Sequence, residues 1–276
     1  MSADLHCHTV LSDGSATIEQ TMRFAHNVGV SAIAITDHDT FAGVERAKEL
    51  GAEYGIQVIN GVEISSYDYK RNKKVHVLSY LPDRPEVLSD IMNSTLAQRR
   101  SSGLAAIEHL CKMFPLTKEE FLAYSECSTT IFKQHLMRAL MDAGFADKVF
   151  SELYYDLFKR PGDKRIYTSV SYPDVNNVLK AVRDAGGIAV IAHAGFYGNF
   201  ELIVELASQG AIDGVEVWHP ENNAEQTQWL FDFANAHSLI KTGGSDFHGM
   251  NNSRMTHVGE YRTPKEELEK LLNYKK

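Results

Sequence analysis

Seven short segments of this chain are almost continuously apolar and β-branched, and nearly every one runs out into a histidine, aspartate or glutamate. They are "DLHCH", "SAIAIT", "IQVINGVEIS", "KVHVLSY", "GIAVIAH", "DGVEVWH" and "LIKTGGSD". Strands apolar on both faces belong to a parallel sheet covered by helices. Helical patterns fall between most of them. Thr17 to Val28 and Phe41 to Tyr54 read as helices, as do Ala224 to Ala236 and Lys265 to Leu272. Pro173 to Ala185 opens on a proline and closes at Gly186-Gly187, a matched start and stop. This alternation predicts an α/β layered or barrel fold. A length of 276 residues suffices for one barrel, or for one domain plus an insertion.

One stretch breaks the alternation. From about Arg84 to Tyr167 there is helical periodicity and no convincing strand. "VLSDIMNSTLAQRRSSGLAAIEHLCKMF" reads as one long helix with an interruption near Ser101-Ser102-Gly103, and "IFKQHLMRALMDAG" as another, stopped by Gly144. The expected organisation is a first barrel part over residues 1–83, a helical insertion over 84–167 and a second barrel part over 168–276.

Composition matters here for what it excludes. The formal net charge of -8 argues against a broad basic face for long nucleic acid, but not against a small anionic substrate. No run of about 18 apolar residues exists, so no membrane span is expected. The N-terminus does not read as a signal peptide. Cys7, Cys111 and Cys127 are odd in number and scattered, which suggests a reducing compartment. A cytoplasmic protein is the expectation, with the oligomeric state left open.

The polar strand ends carry the chemistry. His6 and His8 alternate with Leu5 and Cys7, so a strand points both imidazoles the same way. Asp13 follows that strand. "TDHD" sets Asp37, His38 and Asp39 after the second, and "GVEIS" sets Glu63 at the end of the third. His76 lies on the fourth, His193 ends the fifth, His219 follows the sixth, and Asp246 and His248 follow the seventh. The C-terminal end of a parallel barrel is where active sites are built. So many buried titratable groups need partners, and imidazole with carboxylate suits zinc, manganese or iron. Glu63 has two oxygens with which to bridge two cations. Asp37 and Asp39 are placed to orient the ligands. The pattern therefore predicts a polynuclear metal site.

"DLHCHTVLSDGS", "AITDHDT", "GVEIS", "IAHAG" and "GSDFHG" closely resemble the polymerase and histidinol phosphatase (PHP) family of metal-dependent phosphoesterases. The resemblance covers most of the chain. It implies a distorted (β/α)7 TIM-like barrel with a helical insertion and three divalent transition-metal ions (Mn, Fe or Zn). It implies that His6, His8, Glu63 and Asp246 hold one ion, that Glu63, His76 and His193 hold a second with Glu63 bridging, and that Asp13, His38 and His248 hold the third. The order of barrel, insert and barrel resembles the branch of nucleoside 3',5'-bisphosphate phosphatases and 5'-to-3' exonucleases on short oligonucleotides. In that branch the insert carries Thr-Arg-Pro-His. Here "TIFKQHLMRAL" retains His135 but has Lys133-Gln134 where Arg-Pro is usual. "GDKRIYTS" resembles a second phosphate-contact element and points to Lys164.

The resemblance thus implies a phosphatase that removes phosphate from small nucleotides, the 3'-phosphate of a 3',5'-bisphosphate first among them, with activity on short 5'-phosphorylated oligonucleotides also open. It implies that Asp13, His38 and His219 stand at the reacting centre and that Lys133, His135, Lys164 and His219 contact substrate. The alternatives are a histidinol-phosphate-type phosphatase, a non-catalytic metal-binding PHP module, and an amidohydrolase on a related barrel. Arg99, Arg100 and Arg138 read as helix-face charges. Phe196 and Tyr197 could line the pocket or simply pack.

Overall fold

The seven apolar segments become seven strands of one sheet that curls into a nearly closed barrel. A computed structural model describes residues 2–166, 169–252 and 254–274. The strands are β1 (Ser2–Cys7), β2 (Ala32–Ile35), β3 (Gln57–Asp68), β4 (Lys73–Tyr80), β5 (Ile188–Ile191), β6 (Gly214–Trp218) and β7 (Ile240–Gly243). A two-residue strand, β8 (Thr263–Pro264), pairs antiparallel with β1. The sheet order is β7-β6-β5-β4-β3-β2-β1-β8. Closure falls beyond β7, where Cys7 bridges Phe247 in parallel and the His8 N–H donates to the Phe247 carbonyl at 2.9 Å.

One expectation of the parallel sheet fails. β4 runs antiparallel to both β3 and β5. Only four residues separate β3 from β4, far fewer than a crossover helix needs, so the chain turns back as a hairpin. The reversal is what makes His76 useful. It lies in the first half of β4, opposite Ser65 of β3, and so at the same barrel end as the C-termini of the parallel strands.

Strand alternation then sorts the side chains. Val62 and Ile64 of β3, Val75 and Val77 of β4, and Val215 and Val217 of β6 face the outer helices in one buried cluster. Their neighbours Glu63, His76 and Glu216 must face the barrel interior. Small and branched residues fill that interior below them: Ala3, Leu5, Ala32, Ala34, Ile59, Leu78 and Val190. A register shift between Asp4 and Cys7 lets Leu5 join this plug while His6 still faces inward.

The first outer helices are α1 (Ile18–Asn27) and α2 (Val44–Tyr54). Thr17 and Gln20 exchange hydrogen bonds in a capping box at the start of α1. The insertion contains α3 (Ser89–Met113), α4 (Lys118–Ala123), α5 (Lys133–Asp142) and α6 (Glu152–Phe158). It has its own apolar cluster, built on Ile107, Leu110, Phe121, Leu136, Leu140 and Leu157. α3 is continuous where an interruption was expected. Gly103 serves packing instead, since a Cβ there would come within 2.6 Å of the Ile131 side chain. The expected boundary between insertion and second barrel part falls at Tyr167 and Thr168, outside the described residues. The chain continues through α7 (Val175–Asp184), α8 (Ala194–Tyr197), α9 (Phe200–Ser208), α10 (Ala224–Ala236) and α11 (Lys265–Leu272). Among the described residues no helix is long and apolar enough to cross a membrane.

Candidate metal centre

Glu63 is the hub. Its Oε1 lies 2.7 Å from His76 Nδ1 and 2.8 Å from His193 Nε2. Its Oε2 lies 3.4 Å from His6 Nε2, 3.2 Å from His8 Nε2 and 3.0 Å from His38 Nδ1. Five imidazoles thus converge on one buried carboxylate. Asp246 closes one side, with Oδ1 3.4 Å from His6 Nε2 and 3.2 Å from His8 Nε2. On the other side His248 Nε2 is 3.1 Å from Asp13 Oδ1, and His38 Nε2 is 3.7 Å from Asp13 Oδ2.

The loops are built to hold these groups. Asp37 accepts the Thr9 N–H and Thr9 hydroxyl at 2.7 Å each, and the Ser12 hydroxyl at 2.5 Å, which fixes the turn that presents Asp13. Asp39, in a left-handed backbone (φ 57°), accepts the Ser65 N–H and hydroxyl at 2.9 Å and pins β3 just beyond Glu63. Ser128 and Thr129 of the insertion bond to the Leu11 and Ser12 carbonyls, so the insertion docks on the same turn. Gly244 after β7 lies against His6. A Cβ at Gly244 would sit 2.5 Å from the His6 nitrogen and closer still to its Cβ. We expect Gly244→Ala to push β1 off this contact and lower kcat about 100-fold, the scale of a 1 Å misplacement. Kinetics and metal analysis on the folded variant check this, and wild-type kcat would refute it.

The donor set fits divalent cations. His6 Nε2, His8 Nε2, His38 Nδ1 and His193 Nδ1 are buried with no hydrogen-bond partner among the described residues. Ligand atoms of His8, Asp13, His38 and His248 lie within 4.8 Å of one another, as do those of His6, His8 and Asp246, of His6, Glu63 and His193, and of His38, Glu63 and His76. Electrostatics agree. Burial pushes the Glu63 carboxyl up, but His76, His38 and His6 hold it well below the usual carboxylate range. Burial opposes charge on His8, yet Asp246 and Glu63 raise it to about 10. Burial pushes His38 and His76 down, while Glu63 pulls both the other way. The carboxylates draw positive charge into a buried centre, the condition that a bound cation satisfies.

His219 differs in kind. Its Nδ1 accepts the Glu221 N–H at 3.1 Å, so in the neutral ring Nε2 carries the proton. That nitrogen lies 3.4 Å from Asp246 Oδ2, buried and apart from the cavity that opens above the cluster. The ring offers a proton donor to the centre rather than a lone pair.

Above the cluster a cavity of about 420 Å³ extends to the insertion. Lys133 lines it, as do Phe196 and Tyr197. Gln134 lines it too, and its Nε2 donates to Asp13 Oδ2 at 2.8 Å. Two expected substrate contacts fall elsewhere. His135 is buried, with Nδ1 accepting the Phe132 N–H at 3.2 Å, and so caps α5 rather than facing the cavity. Lys164 is exposed and outside the lining, because the chain after α6 turns it outward. Lys74, Lys159 and Arg99 line the cavity instead. Arg99 is not a helix-face charge. It donates to Ser65 Oγ at 2.8 Å, lies 3.6 Å from Asp39, and stacks over Phe132 and Tyr172. Burial lowers Lys133 to about 8, assisted by the neighbouring cations Lys159 and Lys74. Burial and Arg99 likewise lower Lys74.

Sequence reasoning passed over Glu216, which is fully buried on the inner face of β6 and bonded to His6 and His193. A lone carboxylate between Val215 and Val217, in a strand otherwise apolar to Trp218, was the available signal.

A barrel whose upper rim gathers imidazoles and carboxylates around one central glutamate defines a metal-dependent hydrolase. The chain belongs to the PHP family: the PHP domain model matches residues 4–144, and a 36% identical relative aligns over nearly the whole chain. A protein of Eggerthella lenta named phosphoribosyl 1,2-cyclic phosphate 1,2-diphosphodiesterase is 36% identical, over 96% of this chain and 100% of its own. The 3',5'-nucleoside bisphosphate phosphatase of Chromobacterium violaceum is 28% identical, over 89% of this chain and 86% of its own. A solved metal-dependent phosphoesterase from Bifidobacterium adolescentis superposes with a TM-score of 0.87 at 33% identity, covering 98% of this chain and 95% of its own. The protein is a metal-dependent phosphoesterase, a hydrolase of phosphoester bonds.

Proposed function

We propose that the chain hydrolyses a phosphoester of a small ribose phosphate that carries a second, non-reacting phosphate. The observation that carries this is one cavity with a carboxylate–imidazole cluster on its floor and the cations Lys133, Lys159, Lys74 and Arg99 on its wall, in a chain of net charge -8. His6, His8, Asp13, His38, Glu63, His76, His193, Asp246 and His248 would hold the metal, as up to three ions of manganese, iron or zinc. Bound there, divalent cations supply a water acidic enough to attack at neutral pH and offset charge on the phosphoryl oxygens. His219, buried outside the cavity lining, positions Asp246 from behind rather than touching substrate. The lysines fix the remote phosphate, and that binding energy orients the reacting ester.

Of the compounds in this class, phosphoribosyl 1,2-cyclic phosphate is our first choice. The E. lenta relative aligns over its full length, and Lys133-Gln134 departs from the Arg-Pro of the bisphosphate phosphatases. The nucleoside 3',5'-bisphosphate is kept as a second substrate because Ile131, Phe132, Leu136 and Tyr154 give the cavity an apolar side that a base would cover. Steady-state comparison of both with 3'-AMP and histidinol phosphate tests the two-phosphate model. Both two-phosphate compounds should exceed the two single-phosphate compounds in kcat/KM, and parity between the classes would refute it.

Lys133→Met should raise KM for two-phosphate substrates about 10 to 100-fold, the scale of one charge-assisted contact, and leave aryl phosphates nearly unchanged. Because Lys133 loses its proton near pH 8, kcat/KM for two-phosphate substrates should fall above that pH. Lys133→Arg should move this limb upward, since arginine stays charged. Equal losses on both substrate types would place Lys133 at the reacting ester instead.

A further inference from the structure

His6 lies on β1 and His193 just beyond the end of β5, and they approach Glu63 through different oxygens, yet one side chain holds both. Glu216 Oε1 accepts the His6 Nδ1–H at 2.9 Å. Glu216 Oε2 accepts the His193 backbone N–H at 2.8 Å. The first bond settles the His6 tautomer: with the proton on Nδ1, the Nε2 lone pair is left facing Glu63 and Asp246. The second bond secures an unusual backbone. His193 has φ 26° and ψ 57°, a left-handed conformation that a non-glycine residue adopts only when its surroundings hold it there. That turn swings the ring of His193 back to Glu63. Asn222 braces the arrangement by donating to the Glu216 carbonyl at 3.2 Å and accepting the Gly195 N–H at 2.9 Å.

We propose that Glu216 is a positioning residue that couples two metal positions, by fixing the His6 tautomer with one oxygen and the His193 backbone with the other. The inference rests on His6 and His193 being metal ligands. A neutral glutamine cannot replace Glu216. Both carboxylate oxygens face N–H donors, so a carboxamide would turn its NH2 group against one of them. Aspartate keeps the charge but is one methylene too short to reach both.

The test is zinc retention. Zinc-loaded wild type, Glu216→Gln, Glu216→Asp and His6→Ala are titrated with a competing chelator, and bound zinc is measured on the folded protein. Glu216→Gln should release zinc at about 10 to 100-fold lower chelator, the usual cost of losing a group that orients a ligand. Saturating metal should restore most of its kcat. If Glu216→Gln does not fold, Glu216→Asp is read in its place with the same expectation. Wild-type retention in the Glu216 variant, alongside weakened retention in His6→Ala, would overturn the coupling while leaving the ligand assignment intact. Wild-type retention in His6→Ala would overturn both. A kcat loss that excess metal does not restore, at normal zinc retention, would also overturn the proposal.

Discussion

Glu63→Gln should be the most damaging isosteric change in the molecule, lowering kcat by about 10³-fold, a decade beyond what loss of an outer orienting group usually costs. The reason lies in how its two oxygens are shared. One serves His76 and His193, and the other serves His6, His8 and His38. A carboxamide keeps the shape but offers a single acceptor, and its NH2 group would face imidazole nitrogens that need negative charge beside them. His248→Ala removes a partner of Asp13 and Asp246 but leaves the five imidazoles on Glu63 in place, and should cost less. Metal content measured with kcat on both variants decides the matter. Glu63→Gln should lose more than one ion equivalent, and equal kcat losses in the two variants would refute the hub.

The polar strand ends could be read from sequence because two independent regularities coincide there. Period-2 alternation sends Glu63 inward between Val62 and Ile64, and burial forbids a lone carboxylate without partners. The same logic applied to Val215-Glu216-Val217 would have found Glu216, but no recognised motif marks that position. Other features depend on docking, which periodicity does not encode. Arg99 is one charge among several on α3, and only the approach of Phe132 and Tyr172 turns it into part of a cavity wall. Lys159 and Lys164 are five residues apart on one basic stretch, and the turn after α6 decides which of them reaches the cavity. α4 and α6 span six and seven residues, too short to be stable alone, and are held by burial of Phe121 and Leu157. The reversal of β4 follows from a turn length, a feature visible in the sequence but read there as part of a parallel series.

Removing the metals should abolish turnover by a factor of about 10³ or more and lower the melting temperature, both restored by adding a divalent ion back. Each ion present at about 100 times its dissociation constant contributes about 2.7 kcal/mol, so chelation should lower Tm by several degrees per site. Two of the candidate ligand groups share Glu63, so the losses should be coupled rather than additive. Protons provide a second readout. In the metal-free protein, burial opposes charge on His8 and His6, but the surrounding carboxylates raise both above their ordinary value. Ligation needs the imidazole lone pairs, so metal uptake should release protons and affinity should fall as pH drops. Calorimetric titration of the stripped protein with manganese in buffers of different ionisation heat measures that release. Buffer-independent heats, or full turnover after exhaustive chelation, would mean that the carboxylate–imidazole cluster is a structural network and that hydrolysis draws on other groups in the cavity.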